Sequence, residues 1–105
     1  MEDILWNFLM NKRLQPGSVV VRKKDLPSTA VDADLVILNL ETNNYVGLDN
    51  IGRRIWELLD TPSPAAEIAR VMCAQFSGPP EVIERDVLAL LQEMAEEGLI
   101  DVSQG

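Results

Sequence analysis

Seventeen carboxylates, nine Lys or Arg residues and one thiol are the side chains that could do chemistry in this chain. Histidine is absent, which removes the commonest general base and metal ligand. A zinc site needs several Cys or His ligands, and Cys73 stands alone. Its thiol has no histidine to activate it and no second cysteine for an internal disulfide. Cys73 is therefore expected to be buried and inert beside Ile68, Met72 and Phe76, and a reducing cytoplasm is the simplest compartment. The six glycines are scattered, so no loop is built to cradle phosphates. Arg53 and Arg54 read as exposed helix charges, although either could hold a ligand carboxylate. Nothing here assembles an activated nucleophile, a metal set or a cofactor site. The expectation is a protein that is not an enzyme, with no cofactor and no metal.

What remains is the chemistry of binding. Residues 44–48, NYVGL, read as a short strand. Gly47 in it would let another backbone approach closely. Residues 80–97 read as a long helix. At 100° per residue, Ile83, Val87, Leu90 and Met94 cluster within about 60° and define its core stripe. Leu91 lies roughly 60° from the centre of that stripe and Leu88 about 120°, with Ala95 between them. An apolar arc of about 160° exceeds what one core contact needs. Two readings follow. The hairpin and the first of the three later helices could cover the whole arc. Alternatively, Leu88, Leu91 and Ala95, with Glu84 and Gln92 beside them, line a groove against the hairpin edge. An extended peptide could then add to Asn44, Tyr45, Val46 and Gly47 as an extra strand and rest alternate side chains on the helix.

The elements that must position these residues are legible along the chain. One domain fits 105 residues, and 47% apolar residues can supply its core. No apolar run spans a bilayer. Glu2 and Asp3 stand where a secretory signal would be positive. Residues 4–14 have the spacing of an amphipathic helix on Ile4, Leu5, Phe8 and Leu9, ended by Gln15-Pro16-Gly17. Residues 1–16 are therefore assigned to an N-terminal extension and 17–103 to the domain. Strands are expected at 18–24, 34–40 and 45–48, the last two as a hairpin turned at Asn43-Asn44. On the second strand, Val36, Leu38 and Leu40 share one face, and Ile37 and Asn39 the other. Three helices follow. Asp49 or Asn50 caps the first, which carries Ile51, Ile55, Leu58 and Leu59, with Trp56 as core anchor. Ser63 caps the second, with Pro64 in its first turn. The third begins at Pro80 and ends at Gly98, after which Leu99 and Ile100 fold back. Strands followed by helices argue for an α+β domain.

Charge narrows the partners. The net charge is −8, and residues 55–105 hold ten acidic and two basic side chains. Such a surface should repel nucleic acid and anionic lipid and favour a basic or apolar partner.

The run LNLETNNYVGLDNIGRRIWELLD, residues 38–60, resembles the PqqD-like family, and residues 67–101 continue the match. Tyr45 and Leu48 stand for an aromatic and a leucine in the third strand. Gly52, Ile55, Trp56, Leu58 and Leu59 stand for a G-x-x-I-W-x-L-L helix. Glu84, Asp86 and Val87 match an E-x-D-V segment, and Gly98, Leu99 and Ile100 a G-L-I ending. The resemblance covers about residues 18–102. It implies a winged helix-turn-helix-like fold, a three-stranded antiparallel sheet followed by three helices. It also implies a recognition element for ribosomally made, modified peptides, as in pyrroloquinoline quinone biosynthesis. Such a protein binds the leader of a precursor peptide and presents it to a modifying enzyme such as a radical S-adenosylmethionine protein. The leader adds beside the third strand against the third helix, here residues 43–48 and 84–95.

Two other classes compete. A winged-helix DNA-binding regulator shares the topology, but residues 80–97 carry one basic and six acidic side chains, opposite to what phosphate contact requires. A homo-oligomeric module, a homodimer above all, could use the apolar N-terminal helix or the sheet edge.

Overall fold

Alternation along one strand fixes where the core must lie. In Asp34–Asn39, Leu35, Ile37 and Asn39 are buried, while Val36 and Leu38 are half-buried on the opposite face. With a period of two, only one face of this segment can point inward. The computed structural model describes residues 14–103. The predicted helix over 4–14 lies outside them, except for Leu14. The described residues form β1 (Val19–Arg22), β2 (Ser28–Val31), β3 (Asp34–Asn39), β4 (Asn44–Leu48), α1 (Asn50–Leu58), β5 (Ser63–Pro64), α2 (Ala65–Gln75), α3 (Pro80–Glu96) and β6 (Ile100–Ser103). The fold is α+β, with antiparallel sheets and three helices, as expected.

Its strands are arranged differently from the expected single sheet. There are two three-stranded sheets, β2-β3-β4 and β5-β1-β6. The segment before the hairpin, β1, pairs instead with β6 in the register Val19↔Ser103 to Arg22↔Ile100. Joining chain ends so far apart is a tertiary pairing that no local pattern announces. Its place beside β3 is taken by β2, which follows directly on Pro27. Asp25 and Asp32 turn the chain at positive φ, 64° and 55°, a conformation their short polar side chains tolerate.

The helices begin and end for separate reasons. Asp49 caps α1, its Oδ1 accepting the Gly52 N–H at 2.8 Å. That helix buries Ile55 and Trp56 and, just past its end, Leu59, but leaves Ile51 43% exposed. Trp56 is a core anchor, with the Arg22 guanidinium 5.6 Å from its ring centroid. At α2 the expected Ser63 cap is absent. Ser63 and Pro64 form β5, and the first helical N–H groups are satisfied from elsewhere. Ala65 N–H donates to Ser18 O and Ala66 N–H to Pro16 O, both at 2.8 Å. Leu14 is buried, so it contacts the body of the domain, as does the Pro16 carbonyl. Ile68 and Met72 are buried as expected, but Cys73 is half-exposed. Its Sγ lies 3.8 Å from Pro80 O, at the rim of the α2–α3 junction.

Helix α3 buries Val87, Leu91 and Met94, while Ile83, Leu88, Leu90 and Ala95 are half-buried. It stops at Gly98, whose φ is +74°. Gly98 N–H donates to Ala95 O and Leu99 N–H to Met94 O, at 3.1 and 2.9 Å. These bonds cap the helix and turn Leu99 and Ile100 into the core. A Cβ on Gly98 would also sit 3.2 Å from the Asn39 amide nitrogen. Gly98→Ala is therefore expected to cost about 1–3 kcal/mol, since strained φ and steric crowding act together. Urea unfolding should show a lower midpoint with an unchanged slope. An unshifted midpoint would mean that the helix end is not constrained in this way.

Candidate peptide-binding groove

The β3–β4 hairpin decides which backbone groups are free. The two strands pair in the register Leu35↔Leu48, Val36↔Gly47, Ile37↔Val46, Leu38↔Tyr45 and Asn39↔Asn44. Leu38 N–H donates to Pro27 O at 2.9 Å, so Leu38 faces β2. Along an antiparallel strand the bonding direction alternates. Leu35, Ile37 and Asn39 therefore face β4. Val46 and Leu48 then direct their N–H and C=O groups toward β3, and Tyr45 and Gly47 direct theirs outward. β4 is the last strand of its sheet. Its outer edge presents four backbone groups, which no described strand pairs.

Side chains on β4 divide by the same alternation. Val46 and Leu48 turn toward the core, whereas Tyr45 is 73% exposed on the outer face. Gly47 has nothing within 4 Å of where a Cβ would stand, so the edge is unobstructed on that side. Strand β2 is also an edge, but all four of its residues are exposed. β4 differs because a helix runs beside it. Tyr45, Val46, Gly47 and Leu48 form one wall of a groove of about 470 Å³. Leu90, Glu93, Met94, Glu96 and Glu97 of α3 and its C-terminal cap, with Leu99, form the other.

One buried side chain sets the spacing of these walls. Asn39 closes β3 and is only 4% exposed. Its Nδ2 donates to Glu97 O at the end of α3. Its Oδ1 accepts the Glu41 N–H at 3.0 Å and the Thr42 N–H at 3.4 Å, within the hairpin turn. A single amide thus ties the turn before β4 to the C-terminus of α3.

The helical side of this groove is not the flank expected from the sequence. Leu91 is fully buried and belongs to the core. Gln92 lies on the other flank, where its Oε1 accepts the Leu14 N–H at 2.8 Å. Glu84, Leu88 and Ala95 do not line the groove either, and nor does Asn44, whereas Tyr45, Val46 and Gly47 do. Its helical wall is instead Leu90, Glu93, Met94, Glu96 and Glu97, of which Leu90 and Met94 were expected in the core stripe. The core stripe is centred on Val87, Leu91 and Met94, so Leu90 leans toward β4 rather than inward. Leu90, Glu93 and Glu97 recur at i, i+3 and i+7, a spacing that could have marked this flank as one face.

The groove is acidic on its helical side. Among the described residues, no Lys or Arg pairs with Glu93, Glu96 or Glu97. Glu96 takes only a 3.4 Å contact from Gln92 Nε2. Basic residues gather elsewhere. Arg22, Lys23 and Lys24 line a separate cavity of about 370 Å³ against Trp56 and Asp60. Arg22 is held there by Asp60 at 2.8 Å. Arg53 donates to the Asp32 and Asp34 carbonyls, and Arg54 to Gln75 and Glu57. Both arginines therefore brace α1. No group of three or more His, Cys, Asp or Glu among the described residues could hold a metal ion. No helix there is long and apolar enough to cross a membrane.

Fold and groove define a small α+β domain with a hairpin edge beside a long helix. The family model described as coenzyme PQQ synthesis protein D (PqqD) matches residues 34–100, and the chain belongs to that family. The matched stretch begins at β3 and ends at the start of β6, so it contains both walls of the groove. A PqqA binding protein of Gluconobacter oxydans (strain 621H) is 44% identical over 46 residues, 44% of this chain. The match spans 48% of that relative's length. Among solved structures, TbiB1 in complex with the TbiA(beta) leader peptide is 33% identical, with a TM-score of 0.68. That match covers 77% of this chain and 94% of TbiB1. The PqqD truncation of Methylobacterium extorquens PqqCD, a stand-alone recognition element for ribosomally synthesized and modified peptides, has the same fold. Its TM-score is also 0.68, at 19% identity, covering 84% of this chain and 94% of that one.

The bonding pattern of β4 makes a direct forecast for amide exchange. Tyr45 and Gly47 N–H groups should exchange much faster than the Val46 N–H in hydrogen–deuterium measurements by NMR. Comparable protection of all three would mean that something already occupies the edge.

Proposed function

We propose that this protein binds the leader segment of a ribosomally made precursor peptide and presents it to a modifying enzyme, without catalysing the modification itself. The observation that carries this reading is the β4 edge, unpaired among the described residues, with the Tyr45 and Gly47 backbone groups facing out beside α3. An extended peptide satisfies those groups by adding a strand, at no cost in broken protein hydrogen bonds. Its alternate side chains then meet Leu90 and Met94 on one side, and the outer face around Tyr45 on the other. The residues assigned to the site are Tyr45, Val46, Gly47, Leu48, Leu90, Glu93, Met94 and Glu97. Membership of the PqqD family supports the reading, as does the leader peptide bound to TbiB1. Coenzyme PQQ biosynthesis is one pathway such a module serves, and a radical S-adenosylmethionine protein one partner that fits. The absence of histidine and the single half-exposed thiol fit a role in recognition rather than chemistry, and a reducing cytoplasmic setting. DNA binding is disfavoured by the five net negative charges over residues 80–97.

The test is isothermal titration with a synthetic leader peptide from a small reading frame beside the gene. Binding at roughly micromolar Kd is expected. Gly47→Pro deletes one outward N–H from an edge position where proline is tolerated, and should weaken binding about tenfold or more with an unchanged circular dichroism spectrum. Methylating alternate backbone nitrogens of the peptide should have a similar effect. Full affinity retained by both would rule out strand addition at this edge. If the same edge instead joins two copies of the chain, light scattering will give a dimer mass that peptide does not reduce.

A further inference from the structure

The groove beside β4 does not end with the strand. A second cavity, about 400 Å³, lies between α1, α2 and α3. Leu90 lines both cavities. β4 also runs directly into this second space, since Asp49 and Ile51 follow Leu48 and line it. The two cavities thus adjoin at Leu90 as two parts of one seam, one beside β4 at the C-terminal end of α3 and one at the first turn of α1. Its two ends differ in chemistry. At the α1 end the walls are Ile51, Ile55, Phe76, Ile83, Val87 and Leu90. Ile51 is 43% exposed there, a large apolar side chain left open to solvent at the mouth. The carboxylates at this end are already engaged. Asp49 caps α1, and Asp86 lies 3.7 Å from Arg85. At the other end stand Glu93 and Glu97, with no Lys or Arg against them and none lining either cavity among the described residues.

We propose that the seam reads a two-part ligand: one large aliphatic or aromatic side chain that fills the α1–α2–α3 cavity, and one basic side chain of the same peptide set against Glu93 and Glu97. This rests on the peptide-binding reading and specifies the chemistry of its peptide. The spacing follows from geometry. About ten residues of α3 separate the two subsites, roughly 15 Å at 1.5 Å per residue. An extended strand covers that distance in about five residues. The apolar anchor supplies affinity, because burying a Leu-sized side chain contributes on the order of 1.5–3 kcal/mol, tenfold or more in binding. The basic residue supplies selectivity and register, since opposite charge across an interface discriminates more than it binds.

The experiment uses synthetic Thr- and Ser-rich peptides of about twelve residues, long enough to span both subsites. The parent peptides carry one Leu and one Lys roughly five residues apart, in both orders. Control peptides replace Leu with Ser, Lys with Glu, or both. Binding is read by fluorescence anisotropy, and docking by NMR shifts of the Tyr45 and Gly47 amides in the full chain. One parent order is expected to bind about tenfold or more tightly than its single-replacement controls. Ile51→Glu should erase the advantage of Leu over Ser. The pair E93K and E97K should reverse the preference of Lys over Glu. Raising the salt concentration should weaken only the Lys-containing peptides. All three substitutions are at exposed or partly exposed positions, and Ile51→Ser serves as a milder variant if Ile51→Glu fails to fold. If parents and controls bind alike while Tyr45 and Gly47 shift, the two-part code is wrong and strand addition stands. If no peptide moves those amides or binds, both fail. Preferences for Leu and Lys that survive the substitutions would place the subsites elsewhere and overturn the proposal.

Discussion

The architecture of the groove depends on one buried amide. Asn39 is a polar side chain among Leu35, Ile37 and the end of α3, and it is stable there because every polar atom of its amide has a partner. A buried amide left unsatisfied would cost about 1–3 kcal/mol. The geometry is therefore tightly specified: the hairpin turn and the last carbonyls of α3 must lie on either side of it. Gly98 completes the arrangement. Glycine takes φ +74° without strain, and a Cβ there would crowd the Asn39 Nδ2 at 3.2 Å. With the turn and the helix end held together, β4 runs alongside α3 at a fixed distance. The free strand edge becomes one wall of a groove rather than an exposed flank.

An open edge is a hazard as well as a site, because it invites pairing with any extended chain. Two features limit what this one accepts. Only Tyr45 and Gly47 have outward backbone groups, so the template is short. The α3 wall is acidic, whereas the cationic residues Arg22, Arg53 and Arg54 are occupied by internal contacts elsewhere. Among the described residues, no cation compensates the field of the groove on its α3 side. Electrostatics of this kind steers encounter and excludes acidic chains more than it contributes to affinity.

The rest of the fold supports the two walls by connecting distant parts of the chain. The end of β1 and the residue after it donate to carbonyls just past the C-termini of α1 and α3, Arg22 N–H to Leu59 O and Lys23 N–H to Leu99 O. Its pairing with β6 brings Leu99 and Ile100 into the core directly after the Gly98 turn. The small sheet therefore acts on the groove through the C-terminus of α3, although it contributes no residue to the β4 edge. The start of α2 is fixed in the same way, by the carbonyls of Pro16 and Ser18 rather than by a side-chain cap.

Local pattern alone determined the hairpin over β3 and β4, the Asp49 cap, the three helices, the Gly98 stop and the acidic, histidine-free character of the chain. Each rests on interactions within a few residues or on composition, which a linear reading can see. It also placed Tyr45, Val46 and Gly47 on the edge strand that walls the groove, because glycine in an edge strand has a local meaning. Tertiary structure decided the remainder. The partner of β1 was set by pairing across the chain ends, and the cap of α2 by backbone carbonyls from a distant loop. The face of α3 that meets β4 was set by the packing of Val87, Leu91 and Met94. A rotation of the helix by a fraction of a turn exchanges Leu91 for Leu90, and the helical periodicity of an apolar arc that wide does not fix the rotation. Only the neighbours that bury one flank, Leu14 at Gln92 among them, leave the other flank to the groove.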